Sequence, residues 1–103
     1  MLNLAKECQQ LEIFTHVSTS YVNSNRRHYI EEEIYQPDQD PEIIARDIMQ
    51  RSVQDVKMNE PKLIGDFPNT YTYTKNLAEK YLINNLGNIK CVILRPAIIA
   101  CSL

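Results

Sequence analysis

The chain has 103 residues, 44% of them hydrophobic, and a formal net charge of -2. That length holds one small domain at most, and the apolar fraction points to a globular piece rather than a disordered one. A near-neutral balance gives no reason to expect nucleic acid or an anionic membrane as a partner. No run approaches the roughly 18 apolar residues of a membrane span, and the N-terminus lacks a signal-peptide pattern.

In chain order, residues 1–11, MLNLAKECQQL, space Leu2, Leu4, Ala5, Cys8 and Leu11 as a helix does. Residues 12–23, EIFTHVSTSYVN, are rich in β-branched and aromatic side chains, which predicts a strand ending in a hydroxyl-rich turn. The polar stretch 24–40 reads as a loop. Pro41 suits the first turn of a helix that Asp40 caps, and apolar periodicity carries that helix over 41–58. Residues 59–69, with Gly65 and two prolines, read as a second loop. Asn69 or Thr70 can cap the next helix, which the pattern runs to about Asn85 and stops at Gly87. The run IKCVILRPAIIACS at 89–102 is apolar and β-branched, as a strand buried on both faces would be.

Helix, strand, helix, helix, strand in this order gives an α/β class with the strands joined by crossovers. The chain starts within a helix and stops just after a strand, so truncation at both ends is expected. Two strands do not make a stable sheet, and independent folding is not expected. Cys8, Cys91 and Cys101 have no metal-ligand spacing, and two of them lie in or beside an apolar run. Free buried thiols in a reducing, intracellular compartment are the expectation. His16 and His28 lack a Cys or carboxylate partner at ligand spacing, so no metal site is expected.

The chemistry concentrates in NTYTYTKNLAEKYL, residues 69–82. Tyr71 and Lys75 are four apart and share a helix face. Tyr73 lies about 200° round the axis from Tyr71. A phenol, with its pKa near 10, is a poor acid-base group at neutral pH. A neighbouring ammonium favours its ionised form, so Tyr-x-x-x-Lys is one way to build a proton-transferring tyrosine. The spacing is short, and a chain with six tyrosines meets it readily by chance. Its context adds weight. HVSTSY ends the first expected strand, where α/β sheets place ligand sites, and supplies the hydroxyls of Ser18 and Thr19. LRPAII ends the second.

Hydroxyl turn, Tyr-x-x-x-Lys helix and Arg-Pro strand end, in that chain order, resemble the extended short-chain dehydrogenases and reductases. HVSTSYVN, PKLIGDFPNTYTYTKNLAE and CVILRPAII together closely resemble the fatty acyl-CoA reductases, over about 11–100. The insert of about fifty residues between hydroxyl turn and Tyr-Lys helix is also like that family. Another extended reductase or a sugar-nucleotide epimerase, and an inactive truncated product, are the alternatives.

The resemblance implies a partial Rossmann-like, doubly wound parallel sheet, the central part of an NAD(P)-binding domain. It implies NADPH as cofactor and reduction of fatty acyl-CoA, through a hemithioacetal and an aldehyde, to a primary fatty alcohol. Tyr71 matches the family's proton donor, and Lys75 the lysine that holds the nicotinamide ribose. Thr19 best matches the hydroxyl that orients the carbonyl, with Ser18 a close rival. Pro96, Ala97 and Ile98 match the strand end beside the nicotinamide, whereas Arg95 has no role legible from chemistry. A parent at the peroxisomal or endoplasmic reticulum membrane, facing the cytosol, is a further expectation.

One departure from the family is large. Its Gly-rich phosphate turn is missing from a chain with two glycines, Gly65 and Gly87. The chain taken alone is therefore expected to be inactive. Among the remaining features, Tyr73 is expected to pack, and Glu31, Glu32 and Glu33 to form a solvated face. Arg26, Arg27 and His28 are expected on an exposed loop, with contact to coenzyme A phosphates the sharper alternative.

Overall fold

The computed structural model describes residues 1–36 and 39–100. Six elements follow one another: α1 (Leu2–Glu7), β1 (Phe14–Val17), α2 (Pro41–Gln50), α3 (Val53–Ile64), α4 (Thr70–Asn85) and β2 (Cys91–Leu94). The strands pair in parallel, Phe14 opposite Cys91 through to Val17 opposite Leu94. Parallel pairing demands a long crossover, and here it is the segment that carries α2, α3 and α4. The expected α/β class thus takes the form of helices with a two-stranded parallel sheet.

The helix ends are set by the residues that satisfy their free amides. Asp40 accepts from Glu42 N, and Pro41 takes the first helical position, where its missing N–H costs nothing. Asn69 Oδ1 accepts from Thr72 N at 2.9 Å, so α4 starts and ends where the sequence pattern placed it. Gly87 follows the helix with φ +60°, a conformation that suits glycine.

Other boundaries differ from expectation, each for a local reason. The single helix expected over 41–58 is two, because Ser52 caps a new start by accepting from Asp55 N. Arg51 spans the break, bonding Asp47 at 3.0 Å and Asp55 at 2.9 Å. The loop expected from 59 starts only after Ile64, since α3 carries Pro61 in its last turns and Gly65, at φ +58°, closes it. α1 and both strands are shorter than their apolar runs. β2 ends before the Arg95-Pro96 pair, because proline cannot donate to a ladder.

Burial also departs from the reading of β2. Both strands alternate half-buried and exposed residues, so the residues of this chain cover β2 on one face. On the open face Val17 and Leu94 are each 50% exposed. Cys8 is exposed and Cys91 half-buried, so neither is the buried thiol expected, and Cys101 lies outside the described residues. Among the described residues no helix is long and apolar enough to cross a membrane, and no three His, Cys, Asp or Glu side chains gather as a metal site.

Candidate active site

α4 buries one stripe, Thr72, Asn76, Glu79 and Leu82, at the three- and four-residue spacing of a helix face. Tyr71 and Lys75 flank that stripe, so the helix presents them at its edge rather than inside the packing. Tyr71 is 54% exposed. Tyr73 turns away as its position on the helix demands, edge-on to Phe67 at 5.5 Å between ring centroids. Burial pushes the Tyr73 phenol above its usual range, which suits a packed ring rather than a proton donor.

The Lys75 side chain crosses from the helix to the sheet, where Nζ donates to the Val17 carbonyl at 3.2 Å. Val17 is the last residue of β1, and the next two residues are the hydroxyl pair. Their backbone is fixed from the other strand: Ser18 N donates to Leu94 O at 2.7 Å, and Ser20 N to Pro96 O at 3.0 Å. Lys75, Ser18, Thr19 and Pro96 therefore meet at the C-terminal end of the two strands, the end at which parallel sheets bind ligands.

Ser18 is 4% and Thr19 3% exposed. Thr19 Oγ1 accepts from Tyr21 N at 3.3 Å, closing a small turn that leaves its own proton free to donate. Ser18 Oγ is buried with no partner, so both hydroxyls keep hydrogen-bonding capacity. Among the described residues no hydrogen bond joins the Tyr71 hydroxyl to either of them. Ala97 and Ile98 are exposed beyond the strand, Ile98 by 80%.

Several site residues were invisible as such in the sequence. Asn76, buried on α4, donates to Val22 O at 2.9 Å and to Asn23 Oδ1 at 3.1 Å, pinning the helix to the chain that follows the hydroxyl turn. Arg95 forms a two-pronged ion pair with Glu79, 3.0 Å from Nε to Oε1 and 2.7 Å from Nη2 to Oε2. The pair holds the guanidinium even more firmly in its charged form. His16, on the helix-facing side of β1, has its Nε2 buried without a partner. Desolvation, then the nearby Lys75 charge, push its pKa below the ordinary value, with Glu79 opposing. Only a lysine-to-glutamate spacing of four hinted at Glu79; nothing paired it with Arg95.

Two contacts join residues within the insert. The Arg26 guanidinium stacks 3.5 Å over the Tyr35 ring centre, and Tyr35 Oη accepts from Glu31 N at 3.0 Å. Arg27 and His28 are exposed, as are Glu31, Glu32 and Glu33.

The family model described as male sterility protein, an NAD-binding model, matches residues 1–102. The chain is 43% identical over 102 residues to fatty acyl-CoA reductase 1 of Gallus gallus, covering 99% of this chain and 20% of that protein. It is 45% identical over 103 residues to fatty acyl-CoA reductase 1 of Xenopus laevis, with the same coverage of 99% and 20%. To fatty acyl-CoA reductase 2 of Bos taurus it is 42% identical over 100 residues, 95% of this chain and 19% of that protein. The chain thus spans about a fifth of the length of the curated relatives it matches. No solved structure matches it. The similarity that the three motifs suggested holds along the whole chain, which belongs to the male sterility protein family of NAD-binding proteins.

Proposed function

We propose that these residues form the catalytic face of an NADPH-dependent, alcohol-forming fatty acyl-CoA reductase, within a Rossmann-like sheet. The observation that carries the reading is the bond from Lys75 Nζ to the Val17 carbonyl. It sets the Tyr71-Lys75 helix against the hydroxyl turn at the ligand-binding end of the strands.

The residues present fit the nicotinamide end of the cofactor. An ammonium has three donors and Lys75 spends one on Val17, leaving donors for ribose hydroxyls. Pro96, Ala97 and Ile98 offer backbone and apolar surface beside it. The pyrophosphate has no such cradle here, because Gly65 and Gly87 follow helix C-terminal ends and not N-terminal ones.

Bound NADPH supplies the hydride in each of two reductions, thioester to aldehyde with release of coenzyme A, then aldehyde to primary alcohol. This chain's residues do the remainder. Thr19, or Ser18 beside it, donates its free O–H to the carbonyl oxygen and fixes that atom's position. Tyr71, half exposed at the edge of α4, delivers the proton to the same oxygen as a general acid.

The test uses the full-length protein containing this chain, with NADPH oxidation followed in the presence of a long-chain acyl-CoA. Tyr71→Phe is expected to lower kcat by about 100-fold or more, the scale of a lost general acid. A variant that keeps wild-type turnover removes Tyr71 from the mechanism. NADH in place of NADPH tests the cofactor assignment in the same assay.

A further inference from the structure

The mechanism above uses the hydroxyl turn, Tyr71 and Lys75, and leaves unexplained the most buried charged group among the described residues. Glu79 is 1% exposed. It lies one turn beyond Lys75 on α4, and both its oxygens accept from the single guanidinium of Arg95. Arg95 sits between Leu94, whose carbonyl holds the Ser18 amide, and Pro96, whose carbonyl holds the Ser20 amide. Its Nη2 also donates to the Glu33 carbonyl at 3.0 Å. One guanidinium therefore ties together three segments distant in sequence: the Tyr-Lys helix, the strand end that anchors the hydroxyl turn, and the insert.

From this we infer that Arg95 and Glu79 are a positioning pair for the proposed reduction, fixing the Tyr71-Lys75 helix face relative to the hydroxyl turn while holding residues 31–36 to the same strand end. The inference rests on the proposed function. Neither side chain is required to touch substrate. Their effect runs through the placing of Tyr71 relative to the backbone of Ser18 and Ser20. The chemistry demands arginine at this point, because its planar fork meets two carboxylate oxygens and still directs an N–H to a third acceptor. A lysine is a single charged centre without that fork, so it can keep the ion pair while losing the fixed orientation.

In the full-length protein containing this chain, Arg95→Lys and Glu79→Gln are compared with wild type for kcat and for KM toward NADPH and a long-chain acyl-CoA. Sites are counted by NADPH binding so that misfolded protein does not enter the rate. Misplaced reacting groups lose about ten- to a hundredfold in rate. The expected result is a kcat lower by that factor per site in each variant, with KM for NADPH within about twofold of wild type. Hydrogen exchange should quicken at 18–20 and 31–36 and stay unchanged at the centre of β1. If Arg95→Lys does not fold, Glu79→Gln, which keeps a neutral acceptor in place, carries the same prediction. Unchanged kcat per site in a folded variant overturns the positioning role while leaving the function standing. A wild-type protein that does not reduce acyl-CoA with NADPH defeats the proposed function, and this inference with it.

Discussion

Two regions of this small structure are built on opposite principles. Where α4 meets the end of β1 the interior is polar: of the nine buried residues among those described, six are polar or charged, Ser18, Thr19, Asn23, Thr72, Asn76 and Glu79, against Val22, Pro41 and Leu82. On the open face of the sheet the order reverses, and Val17 and Leu94 stand half exposed. Ordinary interiors bury the apolar groups and leave the polar ones outside. The junction departs from that rule because its task is to fix directions: hydrogen bonds and ion pairs specify where a side chain points, which apolar contact does only loosely. A polar interior is stable only when its groups are paired, and the junction pairs Asn76 and Glu79 while leaving Ser18 Oγ, Asn23 Nδ2 and His16 Nε2 without partners. The unpaired hydroxyl lies where the proposed chemistry needs a donor.

The contrast breaks most directly at neighbouring residues, one on each side of it. Arg95→Met strands the buried Glu79 carboxylate, and removing one partner of such a pair costs about 3–5 kcal/mol. Leu94→Thr, on the face that this chain leaves open, is expected to cost less, about 1 kcal/mol, the ordinary scale of a point substitution. Urea unfolding of the full-length protein containing this chain, with matched m-values, gives both numbers. Equal costs would mean that the junction is no more tightly specified than the open face. Asn76→Ala comes next in size. It strands the Val22 carbonyl and Asn23 Oδ1, at about 1–3 kcal/mol for buried groups left unsatisfied. The same unfolding measurement checks it, and a loss below about 0.5 kcal/mol would show that water replaces the amide there.

How much of this was legible beforehand divides along the same line. Features set by neighbours in the chain were readable: the Asn69 start and Asn85 end of α4, the Asp40 cap, and the turn of Tyr73 away from Tyr71. The break between α2 and α3 was readable in principle, since Ser52 and Asp55 stand at capping spacing, but the apolar periodicity across it masked the signal. What the sequence hid depends on long-range contact. Glu79 looked like an ordinary charged residue on a surface helix, and its burial follows from Arg95, sixteen residues on. Asn76 meets Val22 across 54 positions, and no local pattern encodes a bond of that reach. The alternation of burial along β2 was likewise hidden, because a continuous β-branched apolar run predicts cover on both faces, and the residues of this chain supply it on one.

The smallest effect, and the one that tests the junction's electrostatics, concerns His16. Its ring faces α4 from β1, beside the charges of Lys75 and Glu79, with Nε2 buried and unpartnered. Burial and Lys75 together lower its pKa from the ordinary 6.5 in the folded protein. The unfolded chain therefore takes up this proton first as the pH falls. Stability that the neutral ring contributes is fully present above about 6.5 and is lost as the pH drops towards the folded value. His16→Gln keeps a neutral polar side chain that does not titrate. Between about pH 8 and pH 5, the range in which histidine changes charge, its unfolding free energy should fall less steeply than that of the wild type. All other titrating groups are common to the two proteins, so the difference in slope isolates this one ring. Parallel curves would show that His16 reaches solvent freely enough to take its proton in the folded state. The junction would then be wetter than its buried polar residues imply.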